Sequence, residues 1–290
     1  ANIMPDQKTA YISDDGTNVG LFRYVADKPG DLTAGQLFAA KWVQTSDQDG
    51  GAATIEWIDL GHADDATVRA ALVKGTRFSD IFDTADFNAD GTCPEGFAGS
   101  NAEGQAECLK VKPGMEMIAA RLETRRYASM LGATTEFRKM EGSAYNPDAN
   151  RLYLSMSEVS KGMTYADEKF DKGGRNDIRL AKNPCGAVYE LPLDADFVAT
   201  GMKVLVTGKT VEYAADSPYA GNDCDVDGIA SPDNLTFVPG HDTLVIGEDT
   251  DHHQNDAIWA MNLTKAALTR IATTPYGAEA TSVDWYPDVN

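Results

Sequence analysis

Three acidic residues stand at near-constant distances before prolines: Glu141 six residues before Pro147, Asp233 six before Pro239, and Glu279 eight before Pro287. Each proline opens a repeated segment, so these carboxylates fall at corresponding places of a recurring unit. If the units surround an axis, the carboxylates converge on it, and they repel unless cations sit between them. Glu141, Asp233 and Glu279 are therefore candidate metal ligands; on the other reading each caps a neighbouring strand or turn. Asp14 with Asp15, and Glu248 with Asp249, close two of the repeats and join the same candidate set. The densest polar cluster is GEDTDHHQND at 247–256, in which His252 or His253 could bind metal or act as a general acid. The alternative for this segment is a solvated loop.

Two further groups carry chemistry. DFNADG, with Asp86, Asn88, Asp90 and Gly91, matches the first half of a calcium loop. Its twelfth position is Phe97 rather than a bidentate glutamate, so a plain Asx-rich turn competes with the calcium reading. Arg138 and Lys139 precede Glu141, and either could clamp a substrate phosphate or pair with Glu141. Arg125 and Arg126 read as a solvated helix face. Neither GxSxG nor a Walker-type glycine loop occurs, but hydrolysis by metal-activated water requires neither.

The elements that must position these groups are mostly strands. The pattern apolar–x–Pro, turn, β-rich run and polar pair appears as IMPDQKTAYISDD (Pro5), AYNPDANRLYLSMSE (Pro147) and TFVPGHDTLVIGED (Pro239). A fourth copy begins as VDWYPDVN (Pro287). Repeated hairpins in a mainly β chain predict an all-β propeller, here about three blades and part of a fourth. Strands are expected at TAYISD, GLFRYVAD, GQLFAAKWVQ and ATIEWIDL, then at AVYELPL, MKVLVTG, AIWAMNL and ALTRIAT. Residues 62–135 break the pattern with helical spacing: Val68, Ala71 and Leu72 share one face, and a longer helix stops at Gly132. That block is read as a helical insertion within the propeller portion, residues 1–290. Both termini cut a repeat, so the chain is expected to be a portion of a longer protein whose other blades would be its partner.

The net charge of −20 argues against a nucleic-acid or anionic-membrane partner and suits divalent cations, or equally a salt-adapted source. No apolar run approaches the length of a transmembrane helix, and no signal peptide is visible, as expected of a mature or truncated chain. The four cysteines lack CxxC spacing and suggest two local disulfides, Cys93–Cys108 and Cys185–Cys224, in an exported protein; free buried thiols are the alternative.

The runs TTEFRKMEGSAYNPDANRLYLSMSE, SPDNLTFVPGHDTLVIGEDT and GAEATSVDWYP, with the opening PDQKTAYISDDGTNVGLFRYVAD, resemble the PhoX-type alkaline phosphatases, outside the block around residues 60–115. The resemblance implies a six-bladed propeller, export to the periplasm or medium, and a phosphomonoesterase using calcium (Ca2+) with iron (Fe3+). It places Glu141 and Asp233 as axial metal ligands, Glu279 at another acidic position, and Arg138 or Lys139 where the family contacts phosphate. The sequence departs at Val19, where better-known members carry a glutamate ligand, and no cysteine here matches the family's iron-binding one. Two other functions fit the residues: a non-catalytic, calcium-binding propeller scaffold, and a calcium-dependent lactonase- or esterase-like hydrolase assisted by His252 or His253.

Overall fold

The apolar–x–Pro segments turn the chain as their sequences require. At Pro147 the hairpin pairs Asn146 with Arg151, the Asn146 side chain accepts from the Asp148 and Ala149 N–H groups, and Asn150 closes the turn at φ 49°. At Pro239 the pairing is Val238 with Thr243, and Asp242 takes the same left-handed place at φ 49°. Asn and Asp tolerate that conformation better than other side chains, which explains their occurrence three residues after each proline. The structure, a computed structural model, describes residues 1–286. Pro287, which opens the fourth copy, lies outside the described residues.

The chain divides into two compact units. The first comprises residues 1–44, 55–137 and 161–179. It contains β1 (Asn2–Ile3), β2 (Thr9–Ile12), β3 (Thr17–Val19), β4 (Phe22–Lys28), and the greater parts of β5 (Asp31–Ser46) and β6 (Ala52–Asp64). Its main sheet runs β1-β2-β4-β5-β6. Next come α1 (Asp65–Lys74), α2 (Phe78–Ile81), β7 (Phe82–Ala85), β8 (Ala98–Ser100), β9 (Glu107–Val111), α3 (Glu116–Leu122) and α4 (Thr124–Leu131). The expected helical block thus also holds a three-stranded sheet, β7-β9-β8. The Cys93–Cys108 disulfide ties β9 to the loop between β7 and β8.

Two helical details differ from the sequence reading. Helix α1 starts where Asp64 accepts from the Thr67 N–H and stops at left-handed Gly75, but it buries none of its residues; Leu72 is 59% exposed. The longer helix is two helices, because the chain leaves helical geometry at Glu123, and Gly132 ends the second as expected. Ala120, Ala128 and Ala133 pack on Phe22, Leu37 and Leu60 of the sheet.

After β10 (Phe137–Arg138), the second unit holds residues 45–54, 138–160 and 180–290 of the chain. Its first meander is β11 (Ser143–Asn146), β12 (Arg151–Met156), β13 (Ala187–Pro192) and β14 (Gly201–Thr207), all antiparallel, with residues 52–54 of β6 added along β14. The second is β15 (Pro232–Val238), β16 (Thr243–Glu248), β17 (Ala257–Asn262) and β18 (Ala267–Thr273). Four-stranded meanders in succession are the blade units of a propeller. Their first strands are neighbours: Ser155 Oγ accepts from Gly142 N–H and donates to the Asp233 carbonyl. A Cβ at Gly142 would stand 2.0 Å from that carbonyl oxygen, so only glycine allows the approach. Tyr153, Val188, Leu244, Ile246, Trp259 and Met261 form the core between the meanders. Such burial contributes about 1.5–3 kcal/mol for each large side chain and sets the register of both sheets.

Candidate active site

A cleft of about 360 Å³ opens in the second unit where strand ends and connecting loops meet. Arg138 and Lys139 lie on the approach to β11, and Ser157 and Glu158 follow β12. Ser231 precedes β15, and Asp249, Thr250 and Asp251 follow β16. Glu279 comes from beyond β18. A second pocket of about 230 Å³ shares Asp249, Thr250, Asp251 and Glu279 and adds Asp256, Gln254 and Tyr276.

Lys139, Ser231 and Glu279 each lie eight residues before a repeat proline, and Ser157 and Asp249 each lie ten after one. The cleft is therefore built from equivalent positions of successive repeats. Glu279 is in register after all, and it is Glu141 and Asp233, six before their prolines, that lie off the cleft lining. A bend in the backbone explains the offset. Lys139 (φ 45°) and Ser231 (φ 38°) both adopt left-handed conformations, which cost non-glycine residues about 1–3 kcal/mol and gather at functional sites. Equivalent bonds brace the bends: Ser157 N–H donates to the Lys139 carbonyl at 3.1 Å, and Asp249 N–H to the Ser231 carbonyl at 3.3 Å.

The charged groups are arranged in pairs. Arg138 Nη2 lies 2.6 Å from Glu158 Oε1, and Lys139 Nζ lies 3.7 Å from Glu141 Oε1. Arg138 and Lys139 thus bring positive charge to a cleft otherwise lined by Glu158, Asp249, Asp251 and Glu279. Thr250 Oγ1 donates to Ser231 Oγ at 3.0 Å, joining two walls. Burial, reinforced by Glu248 and Asp249, pushes the Asp256 carboxyl up to about 6.

Glu248 corrects an expectation. Its carboxylate is fully buried and each oxygen already has two partners: Oε1 accepts from Ala230 N–H (2.8 Å) and Trp259 Nε1–H (2.7 Å), while Oε2 accepts from Ala257 N–H (2.8 Å) and faces His253 Nδ1 (2.9 Å). No lone pair is left for a metal. His253 Nε2 faces the Asp225 carbonyl at 3.2 Å. Both ring nitrogens face acceptors, Glu248 Oε2 and the Asp225 carbonyl. Burial lowers the His253 pKa, but the Glu248 carboxylate outweighs burial and the net direction is up. His253 is thus the buried partner of Glu248, at the wall of the neighbouring pocket. His252 lines the cleft.

Other expected positions fall elsewhere. Asp233 is buried beside Asn234, and Glu141 is half-buried. In the first unit Asp14 is gripped bidentately by Arg125, with Nε 2.7 Å and Nη2 2.5 Å from its two oxygens, and Asp15 is exposed. This corrects the solvated-face reading of Arg125 and Arg126: Arg125 also pairs with Glu103, and Arg126 with Glu107 and Glu123. Hydrogen bonds to Asp14, stronger in effect than burial, raise the Arg125 pKa further. Val19 is buried. The DFNADG segment is an exposed Asx-type turn in which Thr92 donates its N–H and hydroxyl to Asp90 Oδ1, and Asn88 Nδ2 donates to Thr92 Oγ1. Those bonds, the hydroxyl first, lower the Asp90 pKa. Asp86 is exposed beside this turn.

Glu158, Ser231, Thr250 and Asp251 were not among the candidate ligands. Counting back eight residues from each proline, rather than six, would have found Ser231. Among the described residues no three Asp, Glu, His or Cys side chains form a preformed metal-holding set. The cleft donors are nonetheless hard carboxylate and hydroxyl oxygens, which fit calcium in kind. All four cysteines are in disulfides, Cys93–Cys108 and Cys185–Cys224, so none offers a thiolate to iron.

With that geometry in hand, the comparisons are specific. The sequence model of the family described as alkaline phosphatase PhoX matches residues 1–289. A search of the curated proteins found no match. Among solved structures, Pseudomonas fluorescens PhoX in complex with vanadate, a transition state analogue, is similar with a TM-score of 0.58 at 16% identity. The likeness covers 96% of this chain and 44% of that one, so this chain spans less than half the length of that protein. At this identity the likeness bears on fold alone, and the fold is an all-β propeller.

Proposed function

The chain belongs to the alkaline phosphatase PhoX family, and on that premise we propose that its cleft binds and hydrolyses phosphate monoesters. One observation supports this most: Arg138 and Lys139 share a single cleft with Glu158, Asp249, Asp251 and Glu279. A phosphate dianion would be drawn to the two cations, Arg138 offering its planar fork. The surrounding carboxylates would repel it unless a cation intervened. Asp249, Asp251 and Glu279 are the residues that would hold calcium here. When bound, that ion would neutralise charge developing on the phosphoryl group and acidify a water.

The chain's own groups supply the rest. Arg138, held against Glu158 at 2.6 Å, is pre-oriented and gives up little side-chain freedom on binding. The Ser231 hydroxyl, which accepts from Thr250 Oγ1, offers a neutral donor to the phosphate oxygens. The family is one of metalloenzymes; calcium is the finer assignment proposed here, on the hard oxygen donors of the cleft. A periplasmic or secreted setting belongs to the same proposal, supported by the two disulfides.

The test is turnover of p-nitrophenyl phosphate by the purified chain at alkaline pH, with calcium and with a calcium chelator. Calcium-dependent release of p-nitrophenol is expected. Cleavage of p-nitrophenyl acetate but not of the phosphate would replace the phosphatase with the esterase reading, and calcium binding without either activity would leave the scaffold.

A further inference from the structure

We propose that Glu248 and His253 form the positioning pair of this cleft, a buried bridge that sets three of its walls at once; the inference rests on the phosphatase reading above. The Glu248 carboxylate accepts from the Ala230 N–H, immediately before cleft residue Ser231. It faces His253 in the middle of the 249–256 loop that carries Asp249, Thr250 and Asp251. It also takes the N–H of Ala257 and the indole N–H of Trp259, which fix the far end of that loop to β17. The main-chain carbonyl of Glu248 accepts from the Ala280 N–H at 3.0 Å, next to cleft residue Glu279. His253 continues the bridge to the Asp225 carbonyl in the segment leading to β15.

The blade does not need a charge at this place. Met156, nine residues after its proline as Glu248 is after Pro239, ends β12 and is equally buried. A buried carboxylate carries a desolvation cost that a methionine avoids. What distinguishes the second meander is the connection that follows: residues 157–186 after Met156 bury Val159, Met163, Ile178, Leu180 and Cys185, whereas residues 249–256 after Glu248 bury His253 and Asp256, and their acidic side chains line the cleft and its neighbouring pocket. A long polar loop has no apolar core of its own, so its placement depends on such internal bonds.

Parent protein, His253→Gln and His253→Leu are compared for calcium affinity by isothermal titration calorimetry, for kcat/KM on p-nitrophenyl phosphate, and for thermal melting. Gln keeps an N–H donor toward Glu248, and Leu does not. The expected result is a graded loss: calcium affinity weaker by about three- to tenfold for Gln and roughly 10- to 100-fold for Leu, as for outer-shell partners of metal ligands. Equal impairment of both variants, or parent-like affinity in both, overturns the inference. If the Leu variant does not fold, the Gln variant decides alone, and parent affinity with parent melting overturns it. A parent that neither binds calcium nor turns over overturns the phosphatase reading and this inference with it. An active parent with unchanged variants overturns this inference only.

Discussion

Replacing Arg138 with alanine tests the cleft most directly. The side chain is 15% exposed, and its Nη2 lies 2.6 Å from Glu158, itself 25% exposed. Two losses combine. The charge-assisted bonds to a bound phosphate are worth about 1.5–3 kcal/mol, or roughly ten- to a hundredfold in kcat/KM. Glu158 also loses its guanidinium partner, keeping the Ser160 hydroxyl at 2.8 Å, and its negative charge adds on the order of 1 kcal/mol of repulsion toward the phosphate in a partly solvated cleft. Arg138→Ala should therefore lower kcat/KM for p-nitrophenyl phosphate by about a hundredfold, with melting little changed because the pair is partly exposed. Removing Glu158 as well should recover about fivefold of that loss, since the repulsion disappears with it. The assay is steady-state kinetics at fixed saturating calcium. A change of less than threefold in Arg138→Ala, or no recovery in the double variant, would refute the placement of phosphate beside this pair.

Three other outcomes follow from named contacts. Cys185 and Cys224 close a loop of sequence separation 39, so replacing both with serine should cost about 4 kcal/mol in urea unfolding; activity should fall as well, because Cys185 O holds the Ser231 N–H and the Cys224 N–H holds His252 O. Glu136 is buried and burial pushes its carboxyl up to about 7, so the folded state keeps a proton that the unfolded chain has lost, and stability falls as pH rises from 4.5 to about 7. Glu136→Gln should accordingly stabilise the protein by up to about 3 kcal/mol at pH 8 and not at pH 4, read from urea midpoints; a pH-independent difference would contradict this. Gly142→Ala would force a methyl group against the Asp233 carbonyl and should destabilise by about 3 kcal/mol, measured by thermal melting.

Much of the fold is legible because its signals are local. A proline followed three residues later by Asn150 or Asp242 marks each hairpin, and period-two apolar runs mark β12, β16 and β17. Gly132 ends its helix because only a left-handed residue can close that turn. The small β7-β9-β8 sheet was missed because its strands are short and β7 pairs with β9 across more than twenty positions. Leu72 misled because an apolar helical face does not state whether anything packs on it. Arg125 was misread for a similar reason: its partner, Asp14, is 111 residues away.

For the site, the sequence by itself determined the residue types and the repeat that brings them round: the basic pair at Arg138 and Lys139, the acidic loop after β16, and Glu279 before the fourth proline. Those are properties of composition and spacing, and they survive whichever way each side chain points. Tertiary structure alone decided direction. The left-handed bends at Lys139 and Ser231 turn one position of each repeat into the cleft, while Glu141 and Asp233, two residues on, fall outside its lining. Glu248 is drawn inward by partners from three segments, Ala230, His253 and β17, and Asp249 is left at the surface of the cleft, although the two are adjacent in the chain. Successive strand residues face opposite ways, and which face is inside depends on partners that converge only when the sheets pack.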